Sequence, residues 1–349
     1  MKQDTSSSGS AALRPSTGFG TGLSTALGTG GAGLIDRSYS GRILLTGADR
    51  RSYLQGLLTN DIEALAPGTG CYAAMLTAQG RMMTDMRVLE LGDAILLDVP
   101  VEVVSSIRDH LDRFVFAEDV QVEDVTSARA EIGLYGPGAQ EVLVKAGAEG
   151  DMPPTLFQTT RVRIAGADAV LVRSDEAGVD GFDLIVNSSP GNDEETVTSS
   201  LIAAGAVRVS ESDAEVVRIE NGRPRFGRDM DADTIPLEAG LEDRAISRSK
   251  GCYVGQEVIV RVQDRGHGRV AKRLVGLTLD AGASVPPSGA RIVSGEREIG
   301  RVTSAVLSPA LGRPIALGYV HRDFVAEGTA LSIDGAPAHV APLPFRPHT

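Results

Sequence analysis

Cysteine is scarce: Cys71 and Cys252 are the two in 349 residues, and they lie far apart along the chain. A disulfide framework is not expected, and such sparse use fits a reducing cytoplasm. Two thiols are also too few to hold an iron–sulfur cluster within one chain, which usually takes four. Histidine is scarce as well. His110, His267, His321, His339 and His348 are scattered without the spacing of a zinc site, so no stably bound metal is expected. Long apolar runs are missing. No window offers the roughly 20 residues that a membrane-spanning helix needs, and the runs over 94–104 and 302–307 suit core strands or helix faces. Positive charge is in deficit, with 34 Lys and Arg against 46 Asp and Glu and a formal net charge of −12. That balance argues against a general nucleic-acid binder, which needs a basic face. No Gly-x-Ser-x-Gly elbow accompanies the many serines. Gly28, Gly30 and Gly31 lack the preceding strand and the Lys-Ser/Thr of a phosphate-binding loop.

What is present reads as one soluble chain of two or three packed units. Residues 1–33 are mostly Ser, Gly, Ala and Thr, too poor in large apolar side chains to offset their ordering entropy, and are expected to form a disordered tail. The weak basic start and the lack of a compact apolar block argue against a signal peptide. Beyond it, short apolar runs with strand character recur at 42–46, 71–77, 86–91, 94–99, 120–125, 132–135, 161–164, 169–173 and 182–186. Asp49 is placed to cap a helix carrying Tyr53, Leu54, Leu57 and Leu58. Val101, Val104, Ile107, Leu111 and Phe114 fall at helical spacing, as do segments at 139–145, 194–203 and 216–219. Strand pairs and helices that do not strictly alternate predict α+β architecture over 34–270. From Arg273 onward, short apolar runs are punctuated by Gly, Pro and Asp with no helical period, which predicts a small all-β barrel or sandwich over 271–349.

One segment stands out. In Lys250-Gly251-Cys252-Tyr253-Val254-Gly255-Gln256-Glu257, two glycines bracket a cysteine and an aromatic, favouring a tight exposed turn. Lys250 lies two residues from Cys252, and a nearby cation lowers a thiol's pKa and favours the reactive thiolate. Between Arg244 and Arg273 eight basic residues face only Glu257 and Asp264, a net of +6 in an acidic chain, which points to an anionic ligand or partner.

This stretch resembles the K-G-C-(Y/F)-x-G-Q-E signature of the YgfZ family, relatives of the T-protein (aminomethyltransferase) of the glycine cleavage system. The likeness runs from about Leu34 to Leu343 and includes Gln55-Gly56, Thr59-Asn60-Asp61, Gln79-Gly80-Arg81 with Asp85, residues 178–183, Arg218-Ile219-Glu220-Asn221-Gly222 and residues 236–241. It implies a T-protein-like folate-binding α+β region with ferredoxin-like modules, followed by a C-terminal barrel, with tetrahydrofolate in a central opening between them. It implies that Asp183 contacts the pterin and that Arg218 and Arg261, with Arg269, serve the acidic tail or a partner. Tyr253, Gln256 and Glu257 join the cofactor contacts. T-proteins carry an acidic pair where this chain reads Thr84-Asp85, so Asp85 is the remaining candidate for one-carbon transfer, beside Cys252 and Lys250 as the reactive pair. The implied function is tetrahydrofolate-dependent assembly or repair of iron–sulfur clusters in client enzymes. Cluster client or assembly proteins would be the partners of a cytoplasmic monomer that touches neither nucleic acid nor membrane. The alternative is an aminomethyltransferase or demethylase-type one-carbon transferase.

Overall fold

The computed structural model describes residues 30–176, 178–188, 193–265 and 269–345. Most of the expected tail, with Gly28, His267 and His348, lies outside the described residues. Two strands open the chain and part at once: β1 (Gly33–Asp36) and β2 (Ser40–Thr46) enter different sheets. The first sheet is completed by β3 (Thr69–Leu76), β4 (Met82–Glu90), β5 (Ile95–Pro100) and β6 (Gln121–Asp124), in the order β3-β4-β5-β2-β6, all antiparallel. The second adds β7 (Arg129–Tyr135), β8 (Thr159–Ile164), β9 (Ala167–Ser174), β10 (Gly181–Asn187) and β11 (Val207–Arg208), in the order β11-β1-β7-β10-β9-β8, with only the β1–β11 pair parallel.

Each sheet has one face covered by helices. On the first, α1 (Arg50–Gln55) and α2 (Val104–Arg113) bring Tyr53, Leu54, Ile107 and Leu111 onto Ile43, Leu45, Val88 and Leu97. On the second, α3 (Ala139–Lys145) and α4 (Asp193–Ala203) bring Leu143, Val197 and Leu201 onto Leu134 and Leu184. Each such side chain, once buried, contributes about 1.5–3 kcal/mol. The other two faces look at one another, and the period of two along a strand decides what they present. Met86 and Val88 face α1 and α2, so Asp85 and Arg87 face inward; Leu97 and Val99 face out, so Asp98 faces in. Ile132 and Leu134, Phe182 and Leu184 face α3 and α4, so Glu131, Tyr135 and Asp183 face the first sheet.

The chain then runs through α5 (Glu211–Glu220), α6 (Glu242–Ala245) and α7 (Gln256–Val260) to the C-terminal strands β12 (Lys272–Leu279), β13 (Arg291–Ser294), β14 (Arg297–Ser308), β15 (Arg313–His321), β16 (Ala330–Ile333) and β17 (Ala336–Ala341). These close as β12-β15-β14-β13-β16-β17 around Leu277, Ile292, Val302, Ala316 and Val320. The architecture is α+β with a closed six-stranded C-terminal barrel, as the sequence predicts. No helix among the described residues is long and apolar enough to cross a membrane.

Local expectations differ in two places. The helix expected to carry Leu57 and Leu58 stops at Gln55, and Asp49 does not cap it; its carboxylate accepts from the Asp119 amide at 2.8 Å. The segment at 216–219 grows into the ten-residue α5, because the Ser210 hydroxyl accepts from the Asp213 amide at 3.1 Å and starts the helix.

Candidate functional site

Six of the inward-facing or adjacent charged residues condense into a buried cluster. Arg37, Arg42 and Arg87 meet Asp98, Glu131 and Asp183, every one of them at most 5% exposed, and their formal charges cancel. Arg87 Nε donates to Asp98 Oδ2 at 2.6 Å, and its terminal nitrogens pair with Glu131 and Asp183. Arg37 Nε lies 3.0 Å from Glu131 Oε1 and Nη2 lies 3.1 Å from Asp98 Oδ2; Arg42 Nη1 lies 3.4 Å from Glu131 Oε2. Removing six charges from water is tolerable only because each finds opposite charge and hydrogen bonds. Burial pushes the Glu131 carboxyl up to about 7, against the pull of Arg37 and with Asp98 adding to the rise.

Above this cluster a cavity of about 450 Å³ opens, within the range of small-molecule sites. Its floor includes Arg37, Arg87 and Asp98. Its walls carry Tyr39, Tyr72, Asp85, Glu176 and the stretch Arg223–Phe226, with Ala214, Glu215 and Arg218 from α5 and Arg244 from α6. Asp85 is the titratable group of note. Burial lifts its pKa to about 6, opposed by the Tyr72 hydroxyl, which donates to Oδ2 at 2.5 Å, and raised further by Glu176 and Asp98. A carboxyl that titrates near neutrality inside a cleft is suited to proton transfer. Arg223 and Arg244 share Asp175, whereas Arg225 lies with its guanidinium 4.3 Å from the centre of the Tyr39 ring.

The structure separates the residues that the sequence singles out. Asp85 and Arg218 reach the cavity. Arg218, however, is committed to protein partners: Glu215 at 2.6 and 2.8 Å, Asp229 at 2.7 Å and Ser304 at 2.9 Å. Asp183, expected at the ligand, is fully buried and does not line the cavity. Burial works to raise its pKa, but Arg37 and Arg87 with the Tyr135 hydroxyl at 2.5 Å hold it below the usual carboxylate range. Strand alternation aims it inward, where Arg87 from the facing sheet pairs with it.

The residues Lys250–Glu257 and Arg261 line no part of the cavity. Lys250 is buried, and its Nζ donates to the carbonyls of Gln55, Leu58 and Asn60 at 2.7, 2.6 and 2.8 Å. Burial draws its pKa down to about 8, while three carbonyls at such distances favour the ammonium. In this setting Lys250 is an anchor for the segment rather than a free cation beside the thiol. Tyr253 is buried and Cys252 is exposed. Glu257 and Arg261 pair at 2.5 Å on the exposed side of α7. The segment presses on the turn between β3 and β4. Gly255 and Gly80 both have positive φ, and a Cβ on Gly255 would stand 2.5 Å from the Thr77 carbonyl oxygen. Only glycine allows backbone to meet backbone there. Cys71, read as a core residue, is partly buried on β3, and burial pushes its thiol up to about 12. Among the described residues no three His, Cys, Asp or Glu side chains gather to hold a metal.

The two-sheet body followed by a closed six-stranded barrel is the T-protein fold. The crystal structure of glycine cleavage system aminomethyltransferase T from Bartonella henselae is similar in fold, with a TM-score of 0.80 at 24% identity over 90% of this chain and 86% of that one. Residues 29–250 match the GCVT N-terminal domain, and residues 272–346 match the glycine cleavage T-protein C-terminal barrel domain. Aminomethyltransferases of Rubrobacter xylanophilus and Nostoc sp. are each 30% identical over 90% of this chain, covering 83% and 84% of their own lengths. That of Thermosynechococcus vestitus is 31% identical over 90% of this chain and 84% of its own. The chain belongs to the glycine cleavage T-protein family.

Proposed function

We propose that this protein binds tetrahydrofolate in the cavity between its sheets and acts as a one-carbon transferase of the aminomethyltransferase type, with Asp85 as its acid–base group. The observation that carries the reading is Asp85 itself: a carboxyl lifted to about 6 in the wall of a 450 Å³ cavity, in a chain 30% identical to aminomethyltransferases over most of its length. The cavity suits a reduced folate. Tyr39, Tyr72 and Phe226 offer ring faces to a flat heterocycle, Asp85 and Glu176 can accept from its N–H groups, and Arg225 suits the carboxylates of its tail. Bound tetrahydrofolate supplies the nitrogens that take up the one-carbon unit. Asp85 holds or moves a proton at its carboxylate, and the ion-paired floor keeps bulk water out beneath it.

The test is titration calorimetry with tetrahydrofolate, followed by turnover of an aminomethyl donor to methylene-tetrahydrofolate. Asp85→Asn should keep binding within a few-fold and lose about 100-fold or more in turnover. Wild-type protein that binds no tetrahydrofolate would sink the reading.

A second reading attaches to the Lys250–Glu257 segment and is favoured by the exposure of Cys252 on an anchored backbone away from the cavity. In it the protein is of the YgfZ type, and that thiol serves iron–sulfur client or assembly proteins while folate remains the small ligand. Complementation of a bacterium lacking its own YgfZ-type protein separates the two. Rescue of a cluster-dependent enzyme by wild type and Asp85→Ala, but not by Cys252→Ala, supports the thiol reading; no rescue by well-expressed wild type supports the transferase alone.

A further inference from the structure

Asp85 is held from one side by a row of groups that the sequence resemblance does not assign. The register of the β3–β4 pair sets Ala74 directly across from Asp85 and Tyr72 across from Arg87. Tyr72 is therefore diagonal to Asp85 on the same inward face, close enough for an aromatic to lean over the small Ala74. Its hydroxyl donates to Asp85 Oδ2 at 2.5 Å. Over the Tyr72 ring stands the Arg244 guanidinium, 5.0 Å from the ring centre, and it is also 5.5 Å from the centre of the Phe157 ring. Arg244 is in turn fixed by Asp175, whose two oxygens accept from it at 2.7 and 2.9 Å. A planar guanidinium gripped by both oxygens of a carboxylate has little freedom, so the ring beneath it has little freedom either.

We propose that Tyr72 is the positioning residue for Asp85: its hydroxyl fixes Oδ2, leaving Oδ1 for the proton of the substrate, and the Asp175–Arg244 pair holds the Tyr72 ring at that angle. The inference rests on Asp85 being the acid–base group of the proposed transferase. A carboxylate free to rotate presents either oxygen in many orientations, whereas one pinned at Oδ2 presents Oδ1 along fixed lone-pair directions, and orientation of this kind accounts for a large share of rate enhancement. Burial and the neighbouring Asp85 raise the Tyr72 hydroxyl well above its ordinary range, so the phenol stays protonated and serves only as a donor. The groups that set the ionisation of Asp85 come from several elements, the Tyr72 hydroxyl on β3 and the carboxylates of Asp98 on β5 and Glu176 after β9, while Arg244 on α6 acts on Tyr72.

The deciding experiment follows the ionisation of Asp85 directly. Full-length protein carrying ¹³C-carboxyl aspartate is titrated by NMR, with Asp85→Asn identifying the resonance. Tyr72→Phe keeps the ring and removes only the donor, so the Asp85 midpoint should rise by about one pH unit. Turnover at neutral pH should fall about tenfold, with the KM for tetrahydrofolate changed less than about twofold. An Asp85 midpoint that does not move in folded Tyr72→Phe overturns the proposal. Asp175→Asn tests the buttress by sign. Loss of a negative charge alone lowers the Asp85 midpoint, whereas loosening of Arg244 and Tyr72 raises it. An upward shift supports the buttress and a downward shift removes Arg244 from it. If the Tyr72→Phe titration shifts as expected but wild type fails to bind tetrahydrofolate, the transferase reading fails and the positioning geometry stands.

Discussion

In the cavity wall, Asp85 and Tyr72 come from adjacent strands, Arg218 and Arg244 from two different helices and Arg225 from the stretch between them. The segment Lys250–Glu257 is eight consecutive residues folded against one turn of the first sheet. The cavity has one carboxyl, Asp85, moved toward neutrality and a charged floor; the segment has an anchored lysine and one exposed thiol. The difference teaches that the stretch with the strongest sequence signal and the place with the strongest physical chemistry need not coincide. Here they share a neighbour, the β3–β4 hairpin, without sharing a surface.

Four substitutions break or sharpen that contrast. The largest effect is expected beneath the cavity. Arg87→Leu leaves Asp98, Glu131 and Asp183 with two arginines, and urea unfolding should show a loss of about 3–5 kcal/mol. Lys250→Met deprives three carbonyls, that of Leu58 buried, of their donor and should cost about 2–4 kcal/mol in the same assay. Its affinity for tetrahydrofolate should stay unchanged; a marked loss would make segment and cavity a single site. Asp85→Asn acts with the opposite sign. The folded pKa of about 6 lies above the ordinary value of 3.8, so Asp85 favours folding at low pH and that contribution is lost as pH rises through 6. The variant should therefore be more stable than wild type by about 2–3 kcal/mol above pH 7, and the gain should vanish below the unfolded pKa of about 4. Equal stability at neutral pH would show that Asp85 is not held against its ionisation. Cys252→Ser, at an exposed position, should change stability by less than about 0.5 kcal/mol and leave tetrahydrofolate binding untouched.

Much of the fold was legible because strands and helices announce themselves by period and punctuation. The run at 94–99 and the helix with Ile107 and Leu111 appear where apolar spacing puts them, and Gly and Pro mark the barrel strands. The cavity was only partly legible. Asp85 was visible through its setting, but Tyr72 reads as one more aromatic in an apolar strand, and its role depends on a diagonal across two strands that no local pattern encodes. Asp98 within Ile95–Pro100 and Glu131 within Arg129–Tyr135 did carry a signal, a charge at the centre of an apolar strand. Asp183 carries the same signal, and the resemblance places it at the pterin, because the sequence does not tell which arginine on another strand will reach it. Lys250 reads as an activating cation in the sequence because it lies two residues from Cys252, whereas its side chain turns to carbonyls nearly 200 residues earlier in the chain.

Arg218 joins two parts of the molecule that the domain matches treat separately. From α5 it reaches Ser304 on β14 of the barrel, and two neighbouring links do the same: Asp229 takes the Thr303 hydroxyl at 2.5 Å, and Glu220 takes that of Ser308. On the same face of that helix, Ala214 and Glu215 stand beside Arg218 in the cavity wall. The barrel thus contributes no residue to the wall yet braces the helix that does, through the bonds of Arg218, Asp229 and Glu220 to Ser304, Thr303 and Ser308.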